Sequence, residues 1–157
     1  MSTESVVFFS RCRPQDSDPI DIVKRERRVF IGYPAFRKGV VPRRGHLREA
    51  VVDFDCSDDE WKTYAATIRD KEPLRQYEMN RRFVLKIKPG AIALVPRPSQ
   101  GVVFAGRVVK PFELLDDPPW SDDYLCLRRR QHLDVEDECG HLADVAQCCT
   151  VDHFRKI

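Results

Sequence analysis

RFVLKIKPGAIALVPRPSQGVVFAGRVVK, residues 82–110, decides the fold of this chain. A basic lead-in with Arg82, Lys86 and Lys88 reaches a Pro89-Gly90 turn. An apolar strand from Ala91 to Val95 follows and stops at Pro96. A polar loop with Arg97, Pro98 and Gly101 leads to a second apolar strand, Val102 to Val109. Runs of β-branched residues bounded by Pro and Gly signal paired strands. Gly106, followed by Arg107, sits inside the second strand. A glycine there marks a bulge or a close approach by another group.

Outward from this hairpin, the chain reads as a single α+β domain over residues 1–157. Val6-Val7-Phe8-Phe9 is a first strand, ended by Arg11 to Pro14. Phe8 and Phe9 must face opposite sides, one to the core and the other free to line a pocket. Asp18-Pro19 opens a short helix through Arg28. Val29 to Tyr33 is a second strand closed by Pro34, and residues 34–50 form a long loop. Ala50 to Phe54 is another short strand. Ser57-x-x-Glu60 is a capping box that starts a helix carrying Trp61, Tyr64, Ala65 and Ile68 on its packed face. Pro73 opens a second short helix to about Arg81. Asp116 to Trp120 is a rigid acidic loop that leaves Trp120 partly exposed. Tyr124 to Arg130 and Leu142 to Phe154 are late strands around an acidic turn at 134–140. Many short strands at this spacing suggest a small barrel with two or three peripheral helices.

Composition excludes several classes. At 42% hydrophobic and 33% charged the chain is globular rather than disordered. No apolar run approaches the roughly 18 residues of a membrane span. The N-terminus lacks a secretory pattern, so a cytoplasmic or nuclear setting is expected. The six cysteines are then expected to be reduced. The net charge of +2 conceals strong segregation: residues 1–50 carry +5, 51–72 carry −4, 73–111 carry +7 and 112–157 carry −6. Nineteen of the 27 basic residues are arginine, whose fork suits phosphates and whose plane stacks on bases. Two basic segments brought together would make a nucleic-acid footprint; left apart, they are solvated faces.

The hairpin resembles the core of PUA-like barrels, in the sequence Lys86-Ile87-Lys88-Pro89-Gly90, then Ala91 to Pro96, then Phe104-Ala105-Gly106-Arg107-Val108. Val6 to Pro14 is similar to the first strand of EVE-type domains. Arg28 to Pro34 resembles the second strand of the PUA-like domains fused to Mrr-type restriction endonucleases. The match touches about half the chain. It departs in the turn, Pro-Gly-Ala rather than Gly-Asp, and in the helical insert at 57–82. The resemblance implies a non-catalytic nucleic-acid-binding module, for DNA or RNA, that holds a flipped and often modified base in an aromatic pocket with a basic rim.

On that reading Tyr33 and Phe36 supply aromatic faces within the basic loop of Arg37, Lys38, Arg43 and Arg44. Trp120 is a second candidate wall. Arg81, Arg82, Lys86, Lys88, Arg97 and Arg107 are candidate phosphate contacts. Each has a structural alternative, as core wall or solvated face. Cys139, His141, Cys148, Cys149 and His153 fall within 15 residues but lack a Cys-x2-Cys knuckle, so no metal is expected. Asp53 and Asp55 share a strand face and can bind magnesium, as in a small metal-dependent nuclease. No nucleophile motif, phosphate loop or nucleotide fingerprint is present, and no cofactor is expected. A protein–protein adaptor using its charged patches is the other alternative.

Overall fold

The computed structural model describes residues 6–157. It is an α+β fold with a five-stranded mixed sheet and six α-helices among those residues. The hairpin forms as its sequence requires. β5 (Ile92–Arg97) pairs antiparallel with β6 (Val102–Leu114), and Gly101 turns the chain at φ 65°. Pro96 lies inside β5, beyond Leu94 where the pairing with β1 (Val7–Phe9) ends, so its missing N–H costs only one side of the ladder. Gly106 does mark a close approach. A Cβ there would sit 3.0 Å from Phe154 and 3.1 Å from the Cβ of Val151, both on the last strand, β7 (Gln147–Lys156).

The strand order is β1-β5-β6-β7-β2, with β2 covering Arg28–Phe30. β1 runs parallel to β5, and every other pair in this sheet is antiparallel. The sheet curls far enough for its two edges to meet. The Phe30 N–H of β2 donates to Cys12 Sγ, just past β1, at 3.4 Å. One side-chain contact bridges this seam where a closed barrel would have a ladder. The expected barrel is therefore open between β1 and β2.

Cap and turn signals place the first helices. α1 (Ile20–Glu26) begins after Asp18-Pro19, and Arg27 ends it at φ 56°. The loop expected at 34–50 also holds β3 (Ala35–Phe36) and α2 (Leu47–Ala50), and β3 pairs with β4 (Val51–Val52) in a two-stranded sheet. Ser57 caps α3 (Asp58–Ala65) by accepting the Glu60 N–H at 3.2 Å. α4 (Lys71–Lys86) runs further than the sequence suggested. Tyr77, Arg81 and Val84 recur at helical spacing on its covered face, so the chain stays helical through the stretch read as the hairpin's lead-in.

The C-terminal third differs most from expectation. Tyr124 to Arg130 is not a strand but α5 (Ser121–Arg130), which buries Tyr124, Leu125, Leu127 and Arg128 at helical spacing. Its acids in the first turn and arginines in the last complement the helix dipole. Residues 142–146 belong to α6 (Glu138–Ala146), buried from Gly140 onward, and only from Gln147 does the chain become strand. Periodicity cannot separate such a fully buried helix from a buried strand. Cys148 and Cys149 point to opposite faces, yet both are buried because β7 is covered on both sides. Burial pushes both thiols up to about 12. All six cysteines are free thiols.

Candidate functional site

A cleft of about 970 Å³ opens over the seam between the sheet edges. One wall is the segment after β1, from Phe9 to Gln15. The second is the segment after β2, from Phe30 to Pro34. The third is α4, which presents Gln76, Asn80 and Phe83 at helical spacing, with Tyr77 and Met79 beside them. Asp144 of α6 closes the fourth side. The volume falls within the usual range for ligand sites, roughly 300–1,000 Å³.

Aromatic residues dominate the mouth. Phe8 is buried against Phe83, ring centroids 5.2 Å apart, so Phe9 faces outward and is 69% exposed. Alternation along β1 thus sends Phe9 to the cleft, the second of the two fates the sequence allowed. Tyr33 is 48% exposed and leans on Tyr77 at 5.3 Å. Asn80 fixes the loop beneath it, donating to the carbonyls of Tyr33 at 3.3 Å and Gly32 at 3.5 Å. Three lining residues, Cys12, Gln15 and Tyr33, hold φ between 45° and 55°. Non-glycine residues adopt that region at a cost, and such strain concentrates at functional sites.

Asp144 is only 1% exposed, and its Oδ2 has no hydrogen-bond partner. Burial lifts its carboxyl from 3.8 to about 7, against the lowering effects of the Tyr33 N–H and the Arg128 guanidinium. At neutral pH this carboxyl therefore exists in both protonation states and can donate as well as accept. Both ring nitrogens of His141 on α6 and the Oε1 of Gln147, the first residue of β7, are also buried without partners. Burial, followed by Arg128, lowers the His141 pKa. Orphaned buried polar groups are rare, and of these three residues Asp144 lines the cleft, where its free oxygen is open to a ligand or water. Exposed Arg11 and Arg13 also line the cleft.

The structure divides the residues singled out from sequence. Tyr33 and half-buried Phe36 come together in the cleft as expected. Arg37 and Lys38 are exposed but do not line the cleft, and Lys38 Nζ donates to the Thr67 carbonyl at 3.1 Å. Arg43 pairs with Glu49 at 3.1 Å, and Arg44 pairs with Asp122 at 2.8 Å, with Asp117 and Glu138 nearby. Arg82, Lys86, Lys88 and Arg107 are exposed, and none has an ion-pair partner among the described residues.

Three candidates are corrected. Arg81 is buried: it donates to the carbonyls of Phe54 (2.7 Å) and Cys56 (2.8 Å) and to Asp58 (2.6 Å), with its guanidinium over Trp61. Arg97 is 1% exposed and donates to Asp18, to the Arg11 carbonyl at 2.7 Å and to the Cys12 carbonyl at 3.1 Å. Both are structural ties, and neither reaches a ligand. Trp120 is buried under Phe30, its Nε1–H donating to the Val145 carbonyl at 3.0 Å, so it is core rather than a pocket wall. The Arg97 tie has a bearing on the site nonetheless, because it anchors the backbone of Arg11 and Cys12 in the cleft wall.

The residues weighed as metal ligands and as nuclease carboxylates do not assemble. His153 is exposed and Cys148 and Cys149 face opposite ways, while Asp53 Oδ1 accepts the Asp55 N–H at 2.8 Å as a local turn. Among the described residues no three His, Cys, Asp or Glu side chains converge to hold a metal ion. Likewise, no helix of the described residues is long and apolar enough to cross a membrane.

Sequence reasoning missed Asp144, Asn80, Tyr77, Phe83, Arg11 and Arg13. A carboxylate inside an apolar run, Leu142-Ala143-Asp144-Val145-Ala146, was the available signal for Asp144. No family model matches the chain, and no curated protein or solved structure matches it.

Proposed function

We propose that this chain is a nucleic-acid-binding module of the PUA-like kind, which takes an unpaired or extruded base, modified or not, into the cleft over the sheet seam. The observation that carries this reading is Asp144: a buried carboxyl, one oxygen of which has no partner, inside a cleft whose mouth is aromatic. A planar heteroaromatic ring needs faces to stack on and a few polar groups for its edge. Tyr33, Phe36 and Phe9 supply faces. A carboxyl carrying a proton donates one hydrogen bond and accepts another, which complements an edge with a ring nitrogen beside an amino group. Cytosine and adenine present such an edge. Arg11 and Arg13 on the rim suit the flanking phosphates.

The test is binding of oligonucleotides that differ at one position, which carries each base in turn or an abasic site, for DNA and RNA. A preference for one base over the abasic control, lost in Asp144→Leu while salt-sensitive binding remains, is the expected result. Equal binding of abasic and base-containing strands overturns the reading.

A further inference from the structure

We propose that the strand delivering the base is single-stranded and runs along α4, with Arg75, Arg82 and Lys86 on its phosphates. The inference rests on the base-binding reading above and adds the identity and path of the partner. Arg75, Met79, Arg82 and Lys86 follow one another at spacings of four, three and four, so they form one stripe along the helix. That stripe spans about 17 Å at the 1.5 Å rise of an α-helix. The neighbouring stripe, Gln76, Asn80 and Phe83, lines the cleft. The cations therefore flank its mouth over three turns of helix.

Three exposed arginines are paired with acids, Arg25 with Asp123, Arg43 with Glu49 and Arg44 with Asp122, whereas others scattered over the surface, such as Arg69, Arg107 and Arg155, have no acid partner among the described residues. Arg75, Arg82 and Lys86 are exposed and pair with no acid among the described residues. Glu78 lies within one turn of Arg75 and Arg82 and still makes no ion pair with either. What sets the α4 cations apart is their alignment: two arginines and a lysine, none in an ion pair among the described residues, stand on one stripe beside the cleft, an arrangement that complements a polyanion.

Single-strandedness follows from the apolar groups at the mouth. Phe9 and Tyr33 are 69% and 48% exposed, and Met79, inside the basic stripe, is 49% exposed. Side chains of this kind next to cations form the stacking platforms of single-strand binders, because only unpaired bases offer their faces to them. In a duplex those faces are already stacked, and Phe9 and Met79 would remain in water.

The experiment measures binding of a labelled 12-nucleotide strand and of its duplex across a salt series. It compares the intact chain with the triple variant Arg75→Ser, Arg82→Ser, Lys86→Ser. A control variant, Lys110→Ser, Arg129→Ser, Arg130→Ser, removes as many exposed cations elsewhere. The single strand is expected to bind tighter than the duplex. The triple variant is expected to flatten the slope of log K against log salt by about 2, at about 0.7 per phosphate lost. Its ratio of base-containing to abasic binding stays at the intact value, since the cleft is untouched, and the control variant keeps the intact slope. An unchanged slope in the triple variant, an equal flattening in the control, or tighter duplex binding overturns the inference. So does binding to an acidic protein but to no oligonucleotide. Loss of base discrimination in the intact chain, with the slope change present, would instead overturn the base-binding reading and leave the α4 surface standing.

Discussion

Two sets of arginines in this protein share a residue type and have opposite roles. Arg81, Arg97 and Arg128 are turned inward, and each spends its fork on backbone carbonyls: Phe54 and Cys56, Arg11 and Cys12, Asp134 and Gln15. They hold irregular segments whose carbonyls have no ladder to join. Arg75 and Arg82, on α4, touch no acid and bond to nothing in the fold. Arg81 and Arg82 are neighbours in sequence, and a 100° step around the helix separates a core tie from a solvent-facing cation. Positive charge in a sequence therefore says little about ligand contact until burial is known.

The inward set should dominate stability. Arg97→Ala strips Asp18 and the Arg11, Cys12 and Pro96 carbonyls of their donor at once and is expected to cost about 3–5 kcal/mol. Thermal or urea unfolding reads this directly, and a change below 1 kcal/mol would break the distinction. Arg97→Lys should recover only part of it, because an ammonium cannot span the same fork.

Asp144 comes next, and its effect depends on pH. Its carboxyl ionises near 3.8 unfolded and about 7 folded, so between those values the folded state holds a proton that the unfolded state has lost. Stability from this group is full below about pH 4, falls as pH rises, and levels off above about 7. A rise from 3.8 to about 7 corresponds to at most about 4 kcal/mol. His141 acts in the opposite sense, losing stability as pH falls through its unfolded pKa. The difference between the intact chain and Asp144→Asn isolates the aspartate. That difference should grow in favour of Asn from pH 4 to pH 7, and urea titrations at pH 4.5 and 7.5 would show it.

Arg81→Ala should cost about 2–3 kcal/mol, almost all of it from the Phe54 and Cys56 carbonyls. Its partner Asp58 is largely exposed, so Asp58→Asn should change stability by less than about 1 kcal/mol. If the two substitutions cost the same, the ion pair rather than the carbonyl ties matters. A smaller effect, about 1 kcal/mol, is expected from Gly140→Ala. A Cβ there would collide with the carboxyl of Asp137, which caps α6 by accepting the Gly140 N–H at 3.2 Å. At the far end of the scale, Arg82→Ala should leave the melting curve within about 0.5 kcal/mol of the intact chain and alter only salt-dependent binding.

The sequence alone determined what depends on neighbours within a few residues. Ser57 and Glu60 announced the start of α3, Gly101 and the β-branched runs announced the β5–β6 hairpin, and alternation required that Phe8 and Phe9 part company. Gly106 announced a close approach without saying that Val151 and Phe154 would make it. These are consequences of dihedral preference, capping and strand periodicity, which are local. Even some local signals went unread, since the acids opening α5 and the arginines closing it mark a helix where a strand was expected.

Only the tertiary structure decided the rest. Arg97 finds Cys12 across 85 positions and Arg81 finds Phe54 across 27, so no spacing rule could mark them as buried. Trp120 looked exposed because it follows two prolines, and it is core because α6 lays the Val145 carbonyl against its indole. The cleft is assembled from four separated segments, and Asp144 acquires its shifted chemistry only once they surround it. A carboxyl's pKa is set by the medium and charges around it, and those are fixed by packing rather than by the residues on either side in the chain.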